Sequence, residues 1–245
     1  RRALRLARHA LGRTSPNPMV GAVLVSRGKI IGQGWHHRAG QPHAEIEALR
    51  DAQQRGHATR GATLFVTLEP CCTHGRTPPC TEAIIAAGIL RVVVGATDPN
   101  PAHAGRGFEI LRRAKIAVKS GLLAPKCEEL NAAFNQWIIH RTPLVTVKSA
   151  MTLDGNIATA RGESKWITGP ESRAFAMQLR EAYDAILVGI NTILADNPSL
   201  TFRADGGSRN AHAAAPKQLR RIILDAAART PITSRVVTDE AASLT

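Results

Sequence analysis

His43, Glu45, Cys71 and Cys80 are the side chains of this sequence best equipped to do chemistry together. They stand in His43-Ala44-Glu45, Glu69-Pro70-Cys71 and Pro78-Pro79-Cys80. One imidazole and two thiols have the softness that Zn²⁺ selects. Three protein ligands, not four, leave a coordination position for water, as a catalytic site requires. Zinc brings the pKa of such a water toward ~7, so a nucleophile is available at neutral pH. Glu45 lies two residues from His43 and need not bind the metal. It is placed to shuttle a proton between that water and a leaving amine. Each fragment alone is common by chance, and a structural zinc or no metal at all is the plain alternative. The ordered combination argues against both. Cys72 and Cys127 belong to no such pattern and are expected as buried thiols.

The elements that must hold these groups follow from pattern. Leu4, Ala7 and Leu11 share a helical stripe. Residues 14–18 form a loop broken by two prolines. Residues 20–25 read as a strand, 26–29 as a turn, and Ile30-Ile31 as the returning strand. Residues 43–50 are expected as helix and Thr63–Leu68 as a buried strand with Cys71 at its mouth. Pro78-Pro79 opens a helix that ends at Gly88. Cys80 then sits in the first turn, where the helix dipole favours a thiolate. Arg91–Ala96 is a strand, 108–114 a helix and 126–140 a longer helix. Strands alternating with helices indicate an α/β layered domain. A boundary falls at Arg141-Thr142-Pro143, dividing the chain into 1–142 and 143–245. Beyond it, 144–149 reads as a strand, 169–182 as a helix opened by Pro170, Ala185–Gly189 as a strand, 204–216 as a polar loop and 221–224 as a last strand.

With 245 residues, 44% hydrophobic and 21% charged, the chain can build real cores. No stretch approaches the ~18 apolar residues of a membrane helix, and no leader is visible. Four cysteines are too few for a disulfide framework. A cytoplasmic setting with reduced thiols is therefore expected. Arg1 rather than Met opens the chain, so preceding residues are expected. The formal charge is +13, with 25 Arg and 7 Lys in an Ala-rich chain, which reflects genome composition as much as ligand. Residues 1–142 hold 20 basic and 9 acidic groups, and 143–245 hold 12 and 10. A basic first half suits RNA or a small phosphorylated substrate.

His-x-Glu followed by Pro-Cys resembles the signature of zinc nucleobase deaminases. That signature has two residues between its cysteines, whereas eight separate Cys71 from Cys80. The inserted stretch must loop over the metal and is expected to touch substrate. With it included, 67–71 and 75–80 resemble the bifunctional deaminase/reductase family of riboflavin biosynthesis. Ser15-Pro16-Asn17-Pro18, Asp98-Pro99-Asn100-Pro101, Leu153-Asp154-Gly155, Ser164-Lys165-Trp166-Ile167-Thr168-Gly169 and 184–189 agree with it. The resemblance implies a cytidine-deaminase-like three-layer domain followed by a dihydrofolate-reductase-like α/β domain. It implies Zn²⁺-dependent hydrolytic deamination of 2,5-diamino-6-(5-phospho-ribosylamino)pyrimidin-4-one, then NADPH-dependent reduction of the ribosyl group to ribityl. Asn17, His36, Arg76, Asp98 and Asn100 would line the deaminase site, Arg76 suiting a phosphate. Asn17 and Asp98 are also turn formers, and His36 beside Trp35 also reads as a surface residue. Where the family has Ser-His after its first cysteine, this chain has Cys72-Thr73, with His74 next.

The second half has no Gly-x-Gly-x-x-Gly after a strand, which removes a Rossmann reading. Backbone N–H groups at Asn191-Thr192 are expected to suit a phosphate. The resemblance implies Ala150, Trp166, Thr192 and Asp196 near NADPH. It places Ser164, Arg180, Leu200 and Arg203 near the reductase substrate. Core packing is the plain alternative for Trp166, and a helix-surface salt bridge for Arg180. The family's reductase half continues to a Glu-Gly-Gly-type segment, so a fragment or an incomplete reductase site, without tight NADPH binding, is expected here. The partner implied is a small phosphorylated pyrimidine, with no nucleic acid and no membrane, and with a homo-oligomer left open. Two other classes compete: a tRNA-type base deaminase with a basic accessory domain, and a non-catalytic zinc protein.

Overall fold

In the computed structural model, which describes residues 1–74, 78–202 and 218–245, the apolar runs of the first half pair into one sheet. β1 (Gly21–Ser26) and β2 (Lys29–Trp35) form an antiparallel hairpin. Its two turn residues, Arg27 and Gly28, both have positive φ, at 49° and 74°. That is the turn geometry matching strand twist, and glycine adopts it without a Cβ penalty. β3 (Thr63–Leu68) pairs antiparallel with β1, then β4 (Arg91–Ala96) and β5 (Ala117–Lys119) add in parallel, in the order β2-β1-β3-β4-β5.

Alternation along β1 decides which helix covers which face. Ala22 and Leu24 join the main core with Ala44 and Ala48 of α2 (Ala44–Gln54). Val23 packs with Ala3 and Leu6 of α1 (Arg2–Ala7). The sheet is thus the middle of three layers. α3 (Cys80–Ala86) and α4 (Arg106–Arg113) add Ile84, Phe108 and Leu111 to the main core.

Three expectations are corrected in this half and at its end. α1 stops at Ala7 and is followed by a 3₁₀ turn over Arg8–Ala10, so Leu11 lies beyond the stripe. The helix expected over 126–140 is two, α5 (Ala124–Leu130) and α6 (Ala132–His140). Asn131 breaks it, with φ −109° and ψ 23°. Its side chain accepts from the Met19 N–H at 2.8 Å and donates to the Met19 carbonyl at 3.0 Å. A distant loop thereby gains both backbone partners that burial requires, at the expense of helix continuity. Residues 144–149 do not form a strand: Val145 and Val147 are 77% and 87% exposed. An apolar run becomes a strand only where a neighbour completes its ladder, and none does here among the described residues.

The chain divides into two compact units, Arg1–Val145 and Thr146–Thr245. In the second, β6 (Ala185–Gly189) and β7 (Arg220–Leu224) pair in parallel. α7 (Pro170–Ala182), α8 (Ile190–Asp196) and α9 (Arg235–Thr238) accompany them. Ile190, Ile193, Leu200 and Val236 form the small core. The loop expected over 204–216 lies outside the described residues. No helix among the described residues is long and apolar enough to cross a membrane.

Candidate metal centre and its cavity

Three elements deliver three donors to one point. His43 is the N-cap residue of α2, held extended at φ −74° and ψ 163°. Cys71 follows β3, and Cys80 opens α3 behind Pro79. The His43 Nδ1 lies 3.4 Å from the Cys71 Sγ and 3.3 Å from the Cys80 Sγ. All three donor atoms lie within 4.8 Å of one another. A tetrahedral zinc with ordinary bond lengths needs N···S edges of about 3.5 Å, so the trio fits this ion. The Cys80 N–H also donates to the Cys71 Sγ at 3.3 Å. Hydrogen bonds from Cys80 and His43 bring the Cys71 thiol down to about 4. The same contact with Cys71, together with burial, pushes Cys80 up. A divalent cation bound between the two sulfurs would displace their protons.

Glu45 sits in the first turn of α2 and is buried. Burial, and then the charge of Cys71, push its carboxyl up to about 7. A carboxyl of that pKa takes and returns protons readily near neutrality.

A cavity of about 470 Å³ opens over these groups and is also lined by Asn17, His36, Asp98 and Asn100. His36 is buried rather than on the surface. Its Nδ1 lies 3.0 Å from the Pro42 carbonyl, which only accepts, so Nδ1 carries the proton. Nε2 therefore accepts from the Asn17 amide at 3.1 Å. Burial pulls the His36 pKa down, which keeps the ring neutral and fixes how Asn17 is presented. Asp98 is buried, which raises its carboxyl pKa, and its Oδ1 accepts from the Asn100 N–H at 2.9 Å. Arg76 lies outside the described residues.

Glu69 had no assigned role in the motif, yet it shapes this wall. Its Oε2 accepts from the N–H groups of Asp98 and Gly105, at 3.2 and 3.0 Å. Its Oε1 accepts from Gly107 at 3.0 Å. Gly107 permits this approach, since a Cβ there would lie 2.5 Å from the Pro70 carbonyl oxygen. Gly107→Ala should push α4 off Pro70 and cost about 1–3 kcal/mol of stability. Thermal unfolding reads the effect; an unchanged melting temperature refutes the packing argument.

Sequence reasoning also passed over Gln41, His103, Phe134 and Ile138, all in the cavity wall. Phe134 and Ile138 are four apart on α6, a spacing that reveals an apolar face. His103 follows the Asp98-Pro99-Asn100-Pro101 motif and carried no periodic signal. Cys127 is buried as expected, whereas Cys72 is half-exposed, its Sγ 3.7 Å from the His103 Nδ1.

In the second unit, Trp166 is 72% exposed and not a core residue. The Arg173 guanidinium lies 4.5 Å from its ring centre. Lys165, between Ser164 and Trp166, pairs with Asp196 at 3.0 Å. That pair brings two candidate cofactor positions into one neighbourhood. Thr192 on α8 and Ala150 are half-buried. Arg180 on α7 donates to the Thr201 carbonyl at 2.8 Å, beside Leu200. Leu200 itself packs in the small core. Arg203 lies outside the described residues.

Comparison with known proteins matches two stretches of the chain to two families. Residues 1–96 match the family "Cytidine and deoxycytidylate deaminase zinc-binding region", and 143–245 match "RibD C-terminal domain". The riboflavin biosynthesis protein RibD of Aquifex aeolicus is 49% identical over 98% of this chain and 64% of its own length. RibD of Actinobacillus pleuropneumoniae is 47% identical over 97% of this chain and 60% of its own. A Thermotoga maritima crystal structure superposes with a TM-score of 0.88 at 45% identity, covering 98% of this chain and 66% of that one. It is described as a diaminohydroxyphosphoribosylaminopyrimidine deaminase/5-amino-6-(5-phosphoribosylamino)uracil reductase. The chain therefore spans a little under two thirds of the length of these relatives.

Proposed function

This chain belongs to the RibD family, with a cytidine-deaminase-like domain followed by a dihydrofolate-reductase-like one, and we propose from that premise that it acts in riboflavin biosynthesis as a deaminase and reductase. The substrate of the first half is 2,5-diamino-6-(5-phospho-ribosylamino)pyrimidin-4-one. The observation that carries this reading is the His43, Cys71 and Cys80 donor set beside a buried carboxyl, Glu45, at the base of a cavity of about 470 Å³. A purely structural zinc site has no use for that carboxyl. Similarity running through 143–245 to the RibD C-terminal domain supports this reading over a nucleic-acid base deaminase with a basic accessory domain.

The deamination is a hydrolysis. Zinc held by His43, Cys71 and Cys80 would supply Lewis acidity that makes water nucleophilic at neutral pH. Water adds to the amino-bearing ring carbon, and Glu45 takes its proton. The carbon–nitrogen bond then breaks as Glu45 returns a proton to the departing ammonia. Asn17, Asp98 and Asn100 present amide and carboxyl groups to the edges of the pyrimidine. The neutral His36 holds Asn17 in place. Arg76 is the sequence's candidate for a phosphate contact.

For the second half we propose a site for NADPH at Ala150, Trp166, Thr192 and Asp196. Trp166, exposed and braced by Arg173, and Thr192 offer a flat ring and a hydroxyl suited to a dinucleotide, and NADPH held there would supply a hydride. Ser164, Arg180, Leu200 and Arg203 mark the region for the sugar phosphate. A reducing, cytoplasmic setting suits the free thiols of the metal centre.

Ammonia release and NADPH consumption, followed together with the zinc-loaded chain and the proposed substrate, test both halves. Ammonia release is expected, is lost on chelation and returns with added zinc. No ammonia from the zinc-loaded chain overturns the deaminase reading. Ammonia without NADPH loss upholds the deaminase reading and means that this chain carries no working reductase site of its own.

A further inference from the structure

We propose that Asn131 is a positioning residue of the deaminase site: by gripping the backbone of Met19 it fixes where Asn17 stands in the cavity. This rests on the deaminase reading above. It extends the site to a segment beyond residues 1–96, the stretch that matches the zinc-binding deaminase family.

Asn17 reaches the cavity from a loop that has little means of holding itself. Pro16 and Pro18 have no N–H to donate. The Asn17 N–H turns back onto the Thr14 carbonyl at 2.7 Å, a bond inside the loop. A tether to a distant element comes at Met19. The Asn131 Oδ1 accepts from the Met19 N–H at 2.8 Å, and the Asn131 Nδ2 donates to the Met19 carbonyl at 3.0 Å. One side chain thus takes both backbone polar groups of that residue. Between Met19 and Asn17 stands Pro18 alone. Its ring fixes its own φ and restricts the backbone of the residue before it. Fixing Met19 therefore fixes Asn17 with little slack, and the Asn17 amide is left at 3.1 Å from the His36 Nε2.

Asn131 is itself firmly anchored. It is 4% exposed and joins two helices. Its N–H donates to the Glu128 carbonyl of α5 at 3.1 Å, and its carbonyl accepts from the Asn135 N–H of α6 at 2.8 Å. α6 goes on to place Phe134 and Ile138 in the wall of the cavity that Asn17 also lines. The helix break thus sets two parts of one wall from a single residue. Among side chains of this length only an amide offers both groups. An aspartate would accept from the Met19 N–H but turn a second acceptor toward the Met19 carbonyl.

The test is a double-mutant cycle on ammonia release from the proposed pyrimidine substrate, with zinc-loaded wild type, Asn131→Asp, Asn17→Ala and the double variant. Asn131→Asp alone should raise KM about tenfold, the worth of one substrate hydrogen bond. Its kcat should stay within about threefold, because binding is lost and the reacting groups are not. Zinc content should not change, since His43, Cys71 and Cys80 lie on other elements. In the Asn17→Ala background, Asn131→Asp should add nothing further to KM, because the group it positions is already gone. Additive KM rises overturn the proposal, as does an unchanged KM for Asn131→Asp. A merely structural loss removes folded enzyme, which lowers apparent kcat and leaves KM alone. If Asn131→Asp does not fold, Asn131→Gln, which keeps both amide groups on a longer stem, carries the same cycle with a smaller rise. A second readout needs no turnover: the Asn17 side-chain amide signals, followed by NMR, should move toward free-amide positions in the Asn131 variant. Unmoved signals overturn the proposal. Moved signals beside a wild type that releases no ammonia uphold the positioning and reject the deaminase reading.

Discussion

Replacing Glu45 by glutamine should lower deaminase turnover about a thousandfold while zinc stays bound. The proposed deamination must move a proton from water to a leaving amine, and Glu45 is the buried carboxyl beside the candidate metal donors that would carry it. Its pKa of about 7, raised chiefly by burial, lets it both accept and release that proton near neutrality. Glutamine keeps the shape and volume of the side chain and removes the proton-accepting oxygen. The three donor residues are untouched, so metal content should match the wild type. Ammonia release and zinc analysis on one preparation check this. Turnover within tenfold of wild type removes Glu45 from the mechanism; loss of zinc instead makes it part of the metal's support.

The second large effect concerns stability. Arg221→Ala should destabilise the Thr146–Thr245 unit by about 3 kcal/mol. Arg221 is buried on β7, with its side chain 0% exposed, and its guanidinium gathers three oxygens. It donates to the Ser199 carbonyl and the Asp239 carboxylate at 2.8 Å each, and to the Val236 carbonyl at 2.9 Å. These bonds tie β7 to α9 and to the segment carrying Leu200. Removing the guanidinium leaves two carbonyls without that partner and a void between them. Asp239 is 25% exposed and can rehydrate, which keeps the cost at the lower end of the range for broken buried pairs. Arg221 holds the Asp239 carboxyl below the ordinary aspartate range. That contribution is therefore complete at neutral pH and fades only as the pH falls through the depressed value. Hydrogen exchange of the β6 and β7 amides measures the change directly. Unchanged protection there would mean that the pair does not hold the unit together.

The metal centre was legible in the sequence because its ligands are defined by donor chemistry and chain order. Softness, an open position and an adjacent carboxyl are properties of residue types, and strands such as Thr63–Leu68 and Arg91–Ala96 announce themselves by unbroken apolar runs. The cavity wall was only partly legible. Asn17, His36, Asp98 and Asn100 came from resemblance, and turn-forming readings of Asn17 and Asp98 and a surface reading of His36 were available from the residues alone. His36 shows the difference: beside Trp35 it reads as exposed, whereas the fold buries it between Asn17 and Pro42.

What escaped the sequence shares one cause. Glu69 meets Gly107 across 38 residues, and Asn131 meets Met19 across 112. Each of these contacts satisfies backbone groups that burial would otherwise leave unpaired, and no local pattern reports on a partner so far away. The same logic splits the helix at Asn131, brings Phe134, Ile138 and His103 into the wall, and leaves 144–149 without a ladder. Residue chemistry and short-range periodicity were enough to specify the clustered His and Cys donors, the carboxyl proposed to carry the proton and the layered α/β character. Long-range packing alone chose which loops would meet above them, because the demand for buried hydrogen-bond partners is met only once the chain has folded.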